Sequence, residues 1–149
     1  LTANQIPYHR RRVGVIFQNP TLLNDRSVFA NVALPLQVSG YTESEIKHRV
    51  NASLELVGLL NKAKRQPNIL SGGEQQRVGI ARAIVSRPEV ILADEPTGNL
   101  DVDYAKDIMD MFTSFHQVGV TVLIATHDTN LLQDTPHRIL ALHQGQLAI

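Results

Sequence analysis

The fold class is indicated by residues 90–125, which read VILADEPTGNLDVDYAKDIMDMFTSFHQVGVTVLIA. The short, continuously apolar run at 90–93 predicts a strand, and residues 120–125 predict a second, buried strand. Residues 101–118 predict an amphipathic helix between them. Its apolar side chains recur at helical spacing: Ile108, Met111, Phe112 and Phe115. A strand, a helix and a strand in this order are typical of a parallel sheet with a right-handed crossover, so the sequence predicts an α/β fold.

Two pairs of polar residues follow these strands, Asp94-Glu95 and Thr126-His127. The carboxyl ends of parallel strands meet at one edge of the sheet, where ligands bind in such folds. Neighbouring residues at a strand end point in different directions, so one carboxylate can hold a hard cation such as Mg²⁺ while the other faces a water. The imidazole can hydrogen-bond a terminal phosphate. Two plainer interpretations stay open, namely a solvated acidic turn and a histidine that only caps the strand.

A third strand is predicted at residues 13–17, where VGVIF is β-branched and apolar enough to be buried on both faces. A proline turn ends this strand, so Gln18 lies at its carboxyl end, although a single Gln there is usually just a loop residue. Near the other end of the chain, residues 138–142 and 146–149 predict a β-hairpin.

Helices are predicted between the first two strands. Residues 27–61 have a helical pattern, with a capping box at Thr42 and Glu45, and Gly58 is expected to end it. A glycine-rich string that starts a second helix follows at residues 70–77, and it is the most specific string in the chain.

That string reads LSGGEQQR. Ser71 is predicted to be the N-cap, and Glu74 at the third helical position completes a capping box. Gly72 and Gly73 leave the first amide N–H groups of the helix bare, so an anion can approach the positive end of the helix dipole. The Ser71 hydroxyl can accept a hydrogen bond from its own helix and donate one to a phosphate oxygen. The alternative is an ordinary capped helix after a glycine turn.

Composition restricts the class of protein. A length of 149 residues and an apolar fraction of 43% suit one soluble domain, or part of one. Lys plus Arg and Asp plus Glu number 14 each, so no charged field for nucleic acid is expected, and residues 10–12 (RRR) are interpreted as a charged lead into a strand. The lack of cysteine excludes disulfides and thiolate metal sites, and the histidines show no metal-ligand spacing. No apolar run is long enough to span a bilayer.

The order of the motifs is more informative than any one of them. Along the chain they are Gln18, Ser71-Gly72-Gly73-Glu74-Gln75, Asp94-Glu95, Gly98-Asn99-Leu100-Asp101 and His127. This order resembles the ATP-binding-cassette (ABC) family over nearly the whole chain. The resemblance implies a P-loop NTPase-like parallel sheet flanked by helices, with an inserted helical subdomain that carries the signature. The implied parts are a core strand and Q-loop at 1–26, the helical and signature subdomain at 27–87, and the catalytic core at 88–149.

The resemblance also implies a role for each motif residue. Glu95 polarises the attacking water and His127 is the switch histidine, so these two are the implied catalytic residues. Gln18 and Asp94 are the implied Mg²⁺ contacts. The implied ATP-binding residues are those of the signature and the D-loop: Ser71, Gly72, Gly73, Glu74, Gln75 and Asp101. The signature of one subunit completes the ATP site of the other in the implied homodimer.

One motif of the family does not occur in the sequence. It is the loop G-x-x-x-x-G-K-[ST], which wraps the phosphates and places a Lys on them. We therefore expect the family's N-terminal strand, loop and helix, with the aromatic residue that stacks on adenine, to precede residue 1. Phosphoryl transfer depends on positioning and charge neutralisation, so residues 1–149 alone are expected to bind ATP weakly and to hydrolyse it negligibly. The open edges of an incomplete sheet favour aggregation.

The residues around the motifs indicate a branch of the family. LLNDRSVF at residues 22–29 resembles the ATPases of bacterial cell division. LADEPTGNLD at 92–101 fits them too but is shared with lipoprotein-releasing and macrolide-export ATPases, which stay open as an alternative. Soluble ABC ATPases of translation or DNA repair are a further alternative, although the spacing from Gln18 to Ser71 leaves no room for the long coiled coil of repair ATPases. The first interpretation implies a polytopic membrane partner, the cytoplasmic face of the inner membrane, and no nucleic acid.

Overall fold

The computed structural model describes residues 2–98, 100–129 and 137–148. Its helices and strands are, in chain order, α1 (Ile6–Arg11), β1 (Val13–Ile16), α2 (Val28–Val38), α3 (Glu43–Leu56), α4 (Gly72–Ile84), β2 (Val90–Asp94), α5 (Val102–Gln117), β3 (Thr121–Ala125), β4 (Ala141–His143) and β5 (Gln146–Ala148). Two short 3₁₀ helices, Leu60–Lys62 and Pro67–Ile69, connect α3 to α4. The predicted α/β alternation is confirmed.

The first three strands form one parallel sheet in the spatial order β1, β2, β3. The register aligns Val15 with Leu92, and Leu92 with Leu123. At the carboxyl end of the sheet, Asp94 pairs with Ala125. The prediction that the residues after β2 and β3 share one edge is therefore confirmed.

Local signals in the sequence define the ends of α3. Thr42 caps the helix and forms the predicted capping box with Glu45. The helix ends at Leu56, and Gly58 follows in the left-handed region with a φ of 72°. Its N–H donates to the Glu55 carbonyl at 3.0 Å, which satisfies one of the free carbonyls of the last turn. The region at 27–61 is two helices rather than one, because Gly40, with a φ of 79°, breaks it after α2.

The helix α4 joins two layers of the molecule. On one side it packs with α2 and α3 around fully buried side chains, among them Val28, Val32, Leu36, Val50, Leu54 and Val78. On the other side it lies directly on β1, since a Cβ added to Gly14 would be 2.7 Å from the Ala83 carbonyl oxygen. A larger residue than glycine at position 14 would force the helix away from the sheet.

The prediction that residues 13–17 are buried on both faces is wrong. Along β1, Ile16 is 2% exposed but Val15 is 43% exposed. The same alternation exposes Leu92 in β2 and Leu123 in β3, so the predicted burial of the strand at 120–125 is also wrong. In the described part of the chain, α4 and α5 cover one face of the sheet and leave an apolar row on the other. A continuous apolar run cannot indicate which face is covered.

The C-terminal hairpin was predicted, whereas the N-terminal helix was not. The strands β4 and β5 pair antiparallel around Gln144 and Gly145, whose φ values of 48° and 78° are those of a tight hairpin turn. Residue 149 of the predicted hairpin lies outside the described residues. After α1, Arg12 Nε donates to Glu89 Oε1 at 2.7 Å and ties the starts of β1 and β2 together.

None of the helices in the described residues combines the length and apolar character needed to cross a bilayer.

Candidate functional site at the strand ends and the start of α4

Glu95 and His127 lie side by side at the carboxyl edge of the sheet. The Glu95 N–H donates to the Ala125 carbonyl at 2.9 Å, which continues the pairing of β2 with β3. The Glu95 carboxylate oxygen Oε1 accepts from the backbone N–H of His127 at 2.9 Å and lies 2.6 Å from His127 Nδ1. Its second oxygen accepts from Thr126 Oγ1 at 3.0 Å. The parallel register thus joins two side chains that are 32 positions apart in sequence.

The contact shifts the two pKa values in opposite directions. The hydrogen bond with His127 is the main reason that the pKa of Glu95 lies below its ordinary value, and the same bond raises the pKa of His127. A carboxylate has about four lone-pair sites, so the three hydrogen bonds leave room to accept one from a water. The His127 side chain is 88% exposed, which leaves Nε2 accessible to a ligand. The pair can hold an ionised base beside an imidazolium.

The backbone of Glu95 is strained. Its φ of 43° lies in the left-handed region, which costs a non-glycine residue on the order of 1–3 kcal/mol. Hydrogen bonds hold this conformation on both sides, from the Glu95 N–H to Ala125 and from the Gly98 N–H to the Glu95 carbonyl at 3.0 Å. Such strain clusters at functional sites, where the surrounding structure fixes a side chain in one direction.

Gln18 reaches the same site from the end of β1. A Cβ added to Gly98 would lie 2.9 Å from Gln18 Nε2 and 3.3 Å from the Glu95 Cβ, so Gly98 separates the two side chains at close range. Gly98 belongs to the predicted motif at residues 98–101, but the motif predicts no separate role for it. A glycine three residues after Glu95 is the only sequence signal, and it does not indicate a contact with Gln18, which follows a different strand.

Asp94 and Gln18 are the predicted Mg²⁺ contacts. Asp94 is exposed at the end of β2, and Gln18 is exposed after β1. Both offer side-chain oxygens, and proteins usually hold Mg²⁺ through one or two such groups together with waters and substrate phosphates. Among the described residues, no cluster of three or more His, Cys, Asp or Glu side chains could cage a metal. The side-chain oxygens of Asp94 and Gln18 are of the kind that Mg²⁺ prefers, so the chemistry of the two donors fits this ion.

The start of α4 forms a second candidate site. Glu74 N–H donates to Ser71 Oγ at 3.3 Å, and Ser71 N–H donates to Glu74 Oε2 at 3.1 Å, so the predicted capping box is confirmed. A Cβ added to Gly72 would meet no atom of the described residues within 4 Å beyond its own helix and chain neighbours, so the helix start is open there. Gly73 differs, because its Cβ would lie 3.0 Å from the Tyr104 ring of α5. Gly72 therefore leaves space for an anion, whereas Gly73 is packed against Tyr104.

Lys62 is a partner of this site that sequence reasoning missed. Its Nζ forms an ion pair with Glu74 Oε1, and this hydrogen bond is the main reason that the pKa of Glu74 lies below its ordinary value. Lys62 belongs to a 3₁₀ helix in a connection without hydrophobic periodicity, so no pattern in the sequence indicates the contact. The carboxylate at the start of α4 is therefore ionised and paired.

The remaining predicted residues, Gln75 and Asp101, stabilise local structure. Gln75 Nε2 donates to the carbonyls of Pro67 and Leu70 at 3.1 and 3.2 Å. Asp101 Oδ1 accepts from the Tyr104 N–H at 3.0 Å and caps α5. No hydrogen bond in the described part of the chain joins the strand-end residues to the start of α4. The structure therefore gathers the predicted residues into two groups.

Comparisons with known proteins fit this arrangement. A family model described as ABC transporter matches residues 1–98. The cell division ATP-binding protein FtsE of Escherichia coli (strain K12) is 54% identical over 147 residues, which are 99% of this chain and 66% of that protein, and FtsE of Mycobacterium tuberculosis is 47% identical over 99% of this chain and 64% of its own length. Among solved structures, CbiO1 from Clostridium perfringens, part of the ABC transporter complex CbiONQ, is similar with a TM-score of 0.80 and 31% identity over 88% of this chain and 53% of that chain. The chain spans about two thirds of the length of the curated relatives it matches.

Proposed function

The chain belongs to the ABC transporter family, and we propose that the intact protein binds and hydrolyses ATP as a subunit of a membrane-associated complex in bacterial cell division. The observation that carries this proposal is the strand-end site, where Glu95 is ionised, strained and hydrogen-bonded to His127. The proposed parts are the core strand and Q-loop at 1–26, the helical and signature subdomain at 27–87, and the catalytic core at 88–149.

In the proposed reaction Glu95 is the base. Its depressed pKa keeps the carboxylate ionised at neutral pH, and its remaining lone-pair site accepts a proton from the attacking water. His127 orients the carboxylate through Nδ1 and presents Nε2 to the terminal phosphate of ATP. Gln18 and Asp94 would hold the Mg²⁺ of the nucleotide, which would neutralise charge on the phosphates. Each step uses a side chain at the carboxyl edge of the sheet.

The start of α4 acts on a neighbouring subunit in this proposal. The open face at Gly72 and the N–H groups of the first helical turn suit a phosphate that approaches from outside the chain. Ser71 and Asp101, at the starts of α4 and α5, flank the packed contact between Gly73 and Tyr104. This open helix start supports the proposed homodimer, in which each α4 start completes the partner's nucleotide site.

The cell-division role and the membrane partner rest on similarity. The 46–54% identity to FtsE proteins supports the same role for this chain, with an FtsX-like polytopic membrane subunit at the cytoplasmic face of the inner membrane. A transporter ATPase is the second candidate, favoured by the similarity to CbiO1 at 31% identity. The higher identity to FtsE makes cell division the first choice. Depletion of the intact protein in its host tests the choice, because the cell-division role predicts cells that fail to divide, whereas normal division after depletion favours the transporter role.

ATP hydrolysis by the intact protein tests the enzymatic proposal. Glu95→Gln removes the base, so turnover is expected to fall roughly 10²- to 10⁴-fold while ATP binding is retained. Glu89→Gln is the matched control, because Glu89 lies at the opposite end of β2 and pairs with Arg12. Unchanged turnover in Glu95→Gln, or an equal loss in Glu89→Gln, would contradict the assignment of the base.

A further inference from the structure

The loop between β1 and α2 is held by side chains of helices rather than by backbone pairing. Residues 17–27 contain no helix or strand. From α4, Gln76 Nε2 donates to the Phe17 carbonyl at 3.1 Å. Arg82 of the same helix donates to the Pro20 carbonyl at 2.5 Å through Nη2 and to the Thr21 carbonyl at 3.3 Å through Nη1. We call these contacts the α4 clasp.

The clasp is a close-packed contact between one face of α4 and the loop. Gln76, Gly79 and Arg82 recur every three residues and therefore lie on one face of the helix. A Cβ added to Gly79 would be 2.9 Å from Pro20 Cβ, so the helix and the loop touch without a gap. Gln76 is only 3% exposed, and a buried amide of this kind keeps its hydrogen-bond partner because leaving it unpaired is costly.

A second buried amide fixes the rest of the loop. Asn31 of α2 is 1% exposed; its side chain accepts from the Leu23 N–H at 2.8 Å and donates to the carbonyls of Leu23, Arg26 and Ser27. The loop is thus attached along its length to the helical layer. Gln18 lies between the two points that α4 fixes, Phe17 and Pro20.

We infer that Gln76 and Arg82 are positioning residues that set the place of Gln18 in the nucleotide site. This inference rests on the proposed function, in which Gln18 contacts the Mg²⁺ of ATP. On its other side the Gln18 amide comes close to Gly98, since a Cβ added there would lie 2.9 Å from Gln18 Nε2 and 3.3 Å from the Glu95 Cβ. A small displacement of Phe17 or Pro20 therefore moves the amide relative to Glu95. Ser71 caps the same helix, α4. The clasp therefore connects Gln18, in this chain's nucleotide site, to the helix start that is proposed to complete the partner's nucleotide site.

The test uses the intact protein with its membrane partner. Gln76→Met keeps the length of the side chain but removes the donor to Phe17. We expect kcat to fall roughly 10- to 100-fold, as for a misplaced catalytic group, and the Mg²⁺ concentration for half-maximal turnover to rise. Arg82→Met is expected to have the same effect, and Arg82→Lys to restore part of kcat because Lys retains a donor for one of the two carbonyls.

A double-mutant cycle decides whether Gln76 acts through Gln18. If it does, Gln76→Met causes no further loss of kcat in a protein that already carries Gln18→Ala. Losses that multiply in the double variant overturn the inference. Val50→Ala, in the buried core of α3, is the control for lost stability. A fall in kcat in Val50→Ala equal to that in Gln76→Met, at an equal loss of Tm, also overturns it.

Backbone dynamics separate this inference from the proposed function. The clasp holds the carbonyls of Phe17, Pro20 and Thr21, so its loss should make the backbone of Gln18 and Asn19 more mobile. The NMR order parameters of these two backbone amides are expected to fall from rigid values of about 0.85 to below about 0.6 in Gln76→Met but not in Val50→Ala. Equal order parameters in the two variants overturn the clasp. Wild-type protein without ATPase activity overturns the proposed function and the catalytic part of this inference, and the order parameters then decide the structural part alone.

Discussion

The contact between Glu95 and His127 links the charge at the end of β2 to the charge at the end of β3. Each residue stabilises the ionised form of the other. The hydrogen bond between them lowers the pKa of Glu95 and raises the pKa of His127. Both groups are reached by solvent on at least one side, so the pair responds to the pH of the medium. Protonation of this site is therefore open to direct measurement.

We expect the pKa of His127 in the intact protein to lie above its ordinary value of about 6.5 and to fall in Glu95→Gln, which removes the main cause of the shift. NMR titration of the imidazole measures both values. Glu89→Gln should leave the titration of His127 unchanged, because Glu89 contacts Arg12 at the other end of the strand. A His127 midpoint that is the same in wild type and Glu95→Gln would contradict the contact.

Folding stability follows from the signs of the two shifts. The lowered pKa of Glu95 stabilises the fold above about pH 4.3, and this contribution is lost as the pH falls through the pKa of Glu95 in the folded protein. The raised pKa of His127 stabilises the fold below about pH 6.5, and this contribution is lost as the pH rises through the pKa of His127 in the folded protein. The difference in unfolding free energy between wild type and His127→Asn should therefore be largest from about pH 4.3 to 6.5. Urea denaturation across this range provides the check, and a difference that grows towards pH 9 would be the wrong sign.

Among the elements, the start of α4 separates two roles of neighbouring glycines. Gly72→Ala places a methyl group where no described residue lies, so stability is expected to be unchanged or slightly higher, while ATP turnover of the intact protein falls about tenfold because the methyl blocks the phosphate. Gly73→Ala pushes against the Tyr104 ring and is expected to destabilise the fold by about 1–3 kcal/mol. Thermal denaturation and turnover of both variants distinguish the roles. Full activity in Gly72→Ala would show that no anion approaches there.

The ion pair of Lys62 with Glu74 bears on the same helix start. Without Lys62 the Glu74 carboxylate stays ionised at pH 7 and loses the ammonium group that pairs with it, so an unbalanced negative charge remains at the proposed phosphate site. In Lys62→Met of the intact protein, the ATP concentration for half-maximal turnover is expected to rise roughly two- to fivefold. Added salt should reduce the difference from wild type, because it screens charges at the surface. Lys64→Met, at an exposed position of the same connection, is the control, and an equal effect there would contradict the role.

Elements whose signals are local could be predicted from the sequence, whereas contacts between distant segments could not. Both capping boxes follow from residues three positions apart, and the shared strand edge follows from the parallel topology. The clasp joins Gln76 to a main-chain carbonyl 59 positions away, and a carbonyl has no sequence signal. The contacts of Lys62 with Glu74 and of Tyr104 with Gly73 also join separate segments and have no sequence signal. For the three parallel strands, the apolar runs predict that strands form but do not indicate which face of the sheet the helices cover.

At the scale of the whole molecule, α4 holds the parts together. It packs in the helical layer, covers β1 and clasps the loop that carries Gln18. The same arrangement places α4 and α5 on one face of the sheet only. The opposite face aligns Val15, Leu92 and Leu123 across three strands, and these side chains are 43%, 37% and 54% exposed. A contiguous apolar row of this kind is favourable to bury against another surface.

We expect a protein of residues 1–149 alone to self-associate through this row, because burial gains about 25 cal/mol per Å² of apolar surface. Leu123→Lys places an ammonium group on the row that is costly to desolvate, so the fraction of dimers and larger species should fall at every concentration. Val118→Lys is the matched control, since Val118 is 79% exposed at the end of α5 and away from the row. Sedimentation velocity over a range of concentrations measures the association. A wild-type chain that stays monomeric, or an equal effect of Val118→Lys, would show that the row is not the contact.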